Sequence, residues 1–129
     1  MYAFCTYCSR EKSLEAGDIP AIQRYLDERI HRVYSAASRL GLGFFIISGE
    51  FGLIPPGHPI PWYDHLLRPE EVSGLVGLMA KQIVENDIAG IVYFTEAFAS
   101  DPNLIPYHDA LVAACSRTSR PCFVVEVEL

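Results

Sequence analysis

Four short apolar runs separated by three stretches of helical periodicity predict an α/β fold. The expected architecture is a three-layer sandwich on a four-stranded, mainly parallel sheet, Rossmann-like or flavodoxin-like in arrangement. The alternation of the two patterns puts a helix in every connection between strands, as parallel pairing with right-handed crossovers requires. Neither a repeat nor a linker of biased composition interrupts the chain, so residues 1–129 read as one domain.

The first strand is read over Tyr2 to Cys8, the second over Phe44 to Ser48 and the third over Ile91 to Thr95. Each is nearly continuous in apolar or β-prone residues, the pattern of a strand covered on both faces. The last, Cys122 to Val127, alternates toward its end and reads as an edge strand with one face in water. Ile22, Leu26, Ile30, Val33, Ala37 and Leu40 recur at helical spacing and predict one long first helix. Asp18 would cap it, Pro20 fits its first turn and Gly41 suits its C-terminal end. Arg24, Arg32 and Arg39 read as a solvated face shared with Glu28. A second helix is expected from Pro69, with Glu70 and Glu71 near its positive end and a stripe of Val72, Leu75, Val76, Met79 and Ile83. Gly74 and Gly77 each weaken it by about 1 kcal/mol against alanine, which suggests close approach to the sheet or to a partner helix. The third helix is read from Pro106 to Ser116.

Half of the residues are hydrophobic and 20% are charged, which excludes a disordered chain. No apolar run approaches the ~18 residues of a membrane span, and no basic-then-apolar leader opens the sequence, so a cytoplasmic protein is expected. Sixteen acidic against ten basic side chains give a net charge of −6. That field disfavours non-specific nucleic-acid binding while leaving a local pocket for one nucleotide open. The mean hydropathy of +0.19 is high for a small monomer and points to a homo-oligomer.

In sheets of this kind ligands bind beyond the carboxyl ends of the strands, near the point where the strand order reverses. The segments after Cys8, Ser48 and Thr95 are therefore the places to look. After the first strand come Cys8, Ser9 and Lys12: a hydroxyl, an amine and backbone amides suited to an anionic or carbonyl-bearing ligand. An ordinary turn with a solvated lysine is the plainer alternative, and the glycines of a phosphate-binding loop are missing. Cys5 and Cys8 form a C-x-x-C pair, but residues three apart on a strand face opposite ways and no second pair completes a zinc set. No metal and no cofactor is expected.

After the second strand, Gly49 and Gly52 allow close approach of backbone to a ligand. The following loop is stiffened by Pro55, Pro56, Pro59 and Pro61 and offers Phe51, Trp62 and Tyr63 to stack on a flat ring. Alternatively it packs over the sheet, with Asp64 capping a turn. Glu96 directly follows the third strand, so Asp64 and Glu96 are candidates for a carboxylate pair in acid–base work. Ser48 and Cys8 could be nucleophiles, yet no nucleophile elbow or base partner accompanies them.

The combination Cys8-Ser9-x-x-Lys12, Ser48-Gly49-x-x-Gly52-Leu53-Ile54-x-Pro56 and Tyr63-Asp64-x-x-Leu67 resembles a bacterial family of small proteins of unknown function. The similarity spans nearly the whole chain, with Pro20-Ala21 between the first two motifs. More distantly the pattern is similar to the uracil-DNA-glycosylase-like domain of archaeosine synthase, which works on a 7-deazaguanine base in transfer RNA. The resemblance carries over to Cys8, Ser9, Lys12, Ser48, Gly52, Tyr63 and Asp64, and implies an α/β fold with a purine-like ligand. Where that family has a basic or neutral residue this chain has Glu50, which argues against phosphate recognition by the loop. Two functions therefore stand side by side as expectations. One is an enzyme acting at an N-glycosidic bond or modified nucleobase, with Asp64, Glu96 and Lys12 catalytic. The other is a non-catalytic module that binds a nucleotide or nucleobase, or a partner protein.

Overall fold

In the computed structural model, which describes residues 1–128, the elements in chain order are β1 (Tyr2–Tyr7), β2 (Ile19–Pro20), α1 (Ala21–Arg24), α2 (Glu28–Leu40), β3 (Gly43–Ser48), β4 (Gly52–Ile54), β5 (Pro59–Ile60), α3 (Val72–Glu85), β6 (Gly90–Thr95), α4 (Ile105–Arg117) and β7 (Cys122–Glu126). Short 3-10 turns at Pro69–Glu71 and Pro102–Leu104 lead into α3 and α4. The main sheet runs β4-β3-β1-β6-β7 and so has five strands, one more than expected. The extra one is β4, which turns back after β3 and pairs antiparallel with it, Leu53 opposite Ile47 and Ile54 opposite Ile46. The remaining pairings of this sheet are parallel, and β2 and β5 pair antiparallel in a separate two-stranded sheet.

Alternation along the strands sorts the core into two halves. Cys5, Phe45, Ile47 and Tyr93 face α3 and α4, meeting Met79, Ile83, Leu111 and Ala114. Phe44 and Ile46 face the other way, against Ile30, Val33 and Ala37 of α2. Each fully buried side chain of this size contributes about 1.5–3 kcal/mol, which is why both faces of β1 and β3 read as apolar. α2 covers only part of its face. Phe123 and Val125, in register with Val92 and Phe94, stay uncovered, and Phe123 is 56% exposed. β7 is thus an edge strand with apolar residues exposed on both faces, where one wet face was expected; Val124, on the opposite face, is 41% exposed.

The long first helix is in fact two. α1 ends at Arg24, Tyr25 is extended, and α2 starts afresh with Asp27 as its cap, the carboxylate accepting the Arg29 amide at 2.9 Å. Between them the Leu26 amide donates to the Glu11 carbonyl, and Lys12 bridges to Tyr25. Asp18 caps nothing, since α1 begins behind Pro20 without a side-chain bond. The Gly41 reading holds: it ends α2 at φ 68°.

Arg24 does not lie on a solvated face. It is fully buried and donates to the carbonyls of Ser13, Glu15, Gly17 and Ile60, so a single guanidinium gathers the 13–17 loop onto β5. Arg32 and Arg39 are exposed as expected. Gly74 and Gly77 face solvent, with nothing closer than 3.8 Å to a β-carbon built on either, so neither serves a close approach. Among the described residues no helix is long and apolar enough to cross a membrane.

Candidate functional site

β1 is the centre of the sheet, and the chain leaves it in one direction to β3 and later returns on its other side as β6. The two crossovers diverge at the carboxyl ends of β1 and β6, leaving a crevice there. A cleft of about 610 Å³ occupies this position, a size that suits a small molecule. Cys8, Ser9 and Lys12 reach it from the end of β1, Glu96 from the end of β6 and Asp64 from the loop beyond β5. Of the expected site residues, these five share one space.

The floor was not foreseen. Arg29, 1% exposed, lies under the end of β1 and bonds to the Thr6 hydroxyl, the Tyr7 carbonyl at 2.9 Å and the Cys8 carbonyl at 3.4 Å. Its guanidinium carbon sits 3.5 Å from the centre of the Tyr7 ring, and one nitrogen pairs with Asp27 at 3.4 Å. Tyr7 and Asp27 in turn line the cleft, with Asp101 and Tyr107 closing its far side. Burial pushes the Tyr7 phenol up to about 12, so it stays a neutral donor. Tyr107 is raised by burial as well; its hydroxyl accepts the Leu67 amide at 3.0 Å and lies 3.9 Å from the Cys8 sulfur.

Lys12 is partly buried on the wall. Burial lowers its pKa, while Cys8 and Asp64 nearby oppose that shift, and its amine lies 4.6 Å from the centre of the Tyr63 ring. Ser9 turns its hydroxyl back onto the Glu11 carbonyl at 2.7 Å, which closes the turn after β1. Cys5, the partner of Cys8 in the C-x-x-C pair, is buried within β1 among the α3–α4 side of the core, and the described residues hold no cluster able to bind a metal. All four cysteines are free.

The six other expected ligand residues, from the last residue of β3 and the stretch after it, lie outside the cleft. Ser48 is fully buried; its oxygen accepts the Glu50 and Phe51 amides at 3.1 Å each and bonds the Tyr63 hydroxyl at 2.8 Å, so it caps the β3–β4 hairpin. Tyr63 also bonds Tyr25 and packs edge-on against Phe51 and Tyr25, which removes both Tyr63 and Phe51 from stacking on a ligand. Trp62 is 51% exposed but does not face the cleft. Gly49 makes room for the chain itself: a β-carbon there would meet the Leu67 side chain at 3.2 Å and the His65 carbonyl at 3.3 Å. Gly52, at φ 72°, makes room for Gln82, whose side-chain oxygen accepts the Leu53 amide at 2.7 Å and whose nitrogen donates to the Phe51 carbonyl at 2.9 Å.

These contacts have a common effect. They pin the strap of residues 61–68 over the sheet so that Asp64 is presented at the cleft rim. His65 completes the clamp, with its Nδ1 2.5 Å from Glu50 and its Nε2 2.8 Å from Glu71. Both ring nitrogens face carboxylates, so only the doubly protonated imidazolium donates to both. Its pKa is raised, first by the bond to Glu50, and that of Glu71 is lowered, first by the Arg68 amide it accepts.

A raised histidine contributes stability that is full below its ordinary value of 6.5 and is lost as pH rises through the higher folded value. A lowered glutamate contributes stability that is full above 4.5 and is lost as pH falls. Hydrogen exchange, corrected for the intrinsic pH dependence, should show residues 65–71 best protected between those two values and opening above them. In His65→Gln the opening above pH 6.5 should no longer vary with pH; a wild-type profile equally flat there would contradict the clamp.

No protein-family model matches this chain, and neither a curated protein nor a solved structure is measurably similar to it.

Proposed function

We propose that the cleft binds a nucleoside or modified nucleobase and that Asp64 and Glu96 act at its N-glycosidic bond. The observation that carries this reading is the presence of both carboxylates in one cleft, with Lys12 beside Asp64, at the reversal point of the sheet. The parallel strands β3-β1-β6-β7 follow the flavodoxin-like order, in which this crevice is the usual ligand site. Breaking an N-glycosidic bond develops positive charge on the sugar, which one carboxylate stabilises while another activates water. Asp64 at the exposed rim suits the first role, and Glu96 at the strand end suits the second. Lys12 holds its charge next to Asp64, and Cys8 and Ser9 border the ligand. Tyr7 and Tyr107 line the cleft but are 8% and 4% exposed, so they border the base with little surface and do not stack on it. Four free cysteines fit a reducing cytoplasmic setting.

The test is release of free base from a panel of nucleosides, followed by chromatography. Asp64→Asn and Glu96→Gln should each lower turnover by about 100-fold or more, with nucleoside binding kept within severalfold. Unchanged turnover in both variants would overturn the assignment. A nucleoside that raises the melting temperature but is never consumed would favour the non-catalytic binding module instead.

The uncovered apolar residues of β7 belong to the same reading, as the contact surface of a homo-oligomer. Two copies of β7 paired antiparallel about Val124 would set Phe123 opposite Val125 and bury these apolar side chains against each other. Sedimentation should give a dimer that Val124→Lys converts to a folded monomer. A wild-type protein that is monomeric at high micromolar concentration would exclude it.

A further inference from the structure

The N-termini of helices in this kind of fold point toward the carboxyl end of the sheet, where free amides and partial positive charge attract phosphate. In this chain a carboxylate takes one amide at the start of α2 and one in each of the turns that lead into α3 and α4. Asp27 accepts the Arg29 amide at the start of α2, Glu71 accepts the Arg68 amide ahead of α3, and Asp101 accepts the Asn103 amide in the turn leading into α4, each at 2.9 Å. Asp27 and Asp101 face the cleft together with Asp64 and Glu96. Asp27 is paired with Arg29, so Arg10 and Lys12 stand against Asp64, Glu96 and Asp101. Arg29 beneath the floor is already engaged by Asp27, the Thr6 hydroxyl and two carbonyls, and His65 is held between Glu50 and Glu71.

Resting on the nucleoside reading above, we infer that the cleft takes an unphosphorylated ligand, a free nucleoside or nucleobase, and turns nucleotides away. Its surplus of acceptors suits ribose hydroxyls and exocyclic amines, which donate hydrogen bonds. A phosphate placed there would meet Asp64, Glu96 and Asp101, with the cap of α2 already taken by Asp27.

Cys8 is a reporter built into the cleft, and Cys122, at the far end of the sheet on β7, is an internal reference. The intact protein is treated with methanethiosulfonate reagents of matched size carrying an ammonium or a sulfonate group, and modification is followed by peptide mass mapping. The thiolate displaces sulfinate and forms a mixed disulfide, so rates report local charge without any ligand. At Cys8 the ammonium reagent should be favoured at least 10-fold more than on free cysteine. That bias should shrink at high salt and in Asp101→Asn, whose asparagine can still accept the Asn103 amide. A sulfonate reagent that reacts at Cys8 as readily as with free cysteine, by the same ratio, overturns the inference, and so does a Cys8 that neither reagent reaches. In a parallel arm, a nucleoside should bind at least 10-fold more tightly than its 5′-monophosphate, and a monophosphate that binds as well or better is contrary. If neither binds, the nucleoside reading falls, and the reagent ratio alone decides whether the cleft excludes anions.

Discussion

A buried guanidinium organises the end of the central strand. Arg29 is the second residue of α2, yet all contacts of its guanidinium but one are to the end of β1 and the residue after it, at Thr6, Tyr7 and Cys8, and its flat face covers the Tyr7 ring. The last contact, to Asp27, ties the same charge to the cap of its own helix. A buried charge is tolerated only when it is paired and well bonded, and removing either side leaves the other stranded at a cost of about 3–5 kcal/mol. The position of α2 over the sheet and the direction taken by Cys8 and Ser9 are therefore one structural fact. Everything that reaches the cleft from β1 depends on it.

The second support is the strap after β5. Proline stiffening made this stretch look like a ligand platform, but its aromatic and hydroxyl groups bind each other: Phe51, Tyr25 and Ser48 converge on Tyr63. Burial keeps the Tyr63 phenol protonated, against the pull of its bond to Ser48. The outcome is a rigid buttress one residue away from Asp64. The residues singled out from the sequence thus divide into two groups by position, with Cys8, Ser9, Lys12 and Asp64 at the cleft and Ser48, Gly52 and Tyr63 outside it.

The parallel strands were legible because burial on two faces leaves long apolar runs, and the strand ends then located the crevice without any motif. β4 was not legible: three residues, Gly52, Leu53 and Ile54, are too few for a period to show. The break between α1 and α2 was masked because Ile22, Leu26 and Ile30 keep helical spacing across it, although Leu26 is in fact 52% exposed. Asp27 followed by Glu28 carried the only signal of a new start, that of an N-cap. Arg24 and Arg29 could not be told from solvated arginines, because nothing in an amphipathic pattern distinguishes a charge facing water from one facing carbonyls. The same ambiguity hid the cleft floor. Aromatic residues in a loop likewise announce burial against something, and Phe51 and Tyr63 found that partner within the chain.

The central claim is that segments far apart in the chain build one ligand site at the ends of β1 and β6. A crystal structure of the protein soaked with the nucleoside that most raises its melting temperature tests this most directly. The account predicts density between Cys8, Asp64 and Glu96, with the sugar toward the two carboxylates. Density stacked on Trp62 or lying along α2, with the cleft empty, would contradict it.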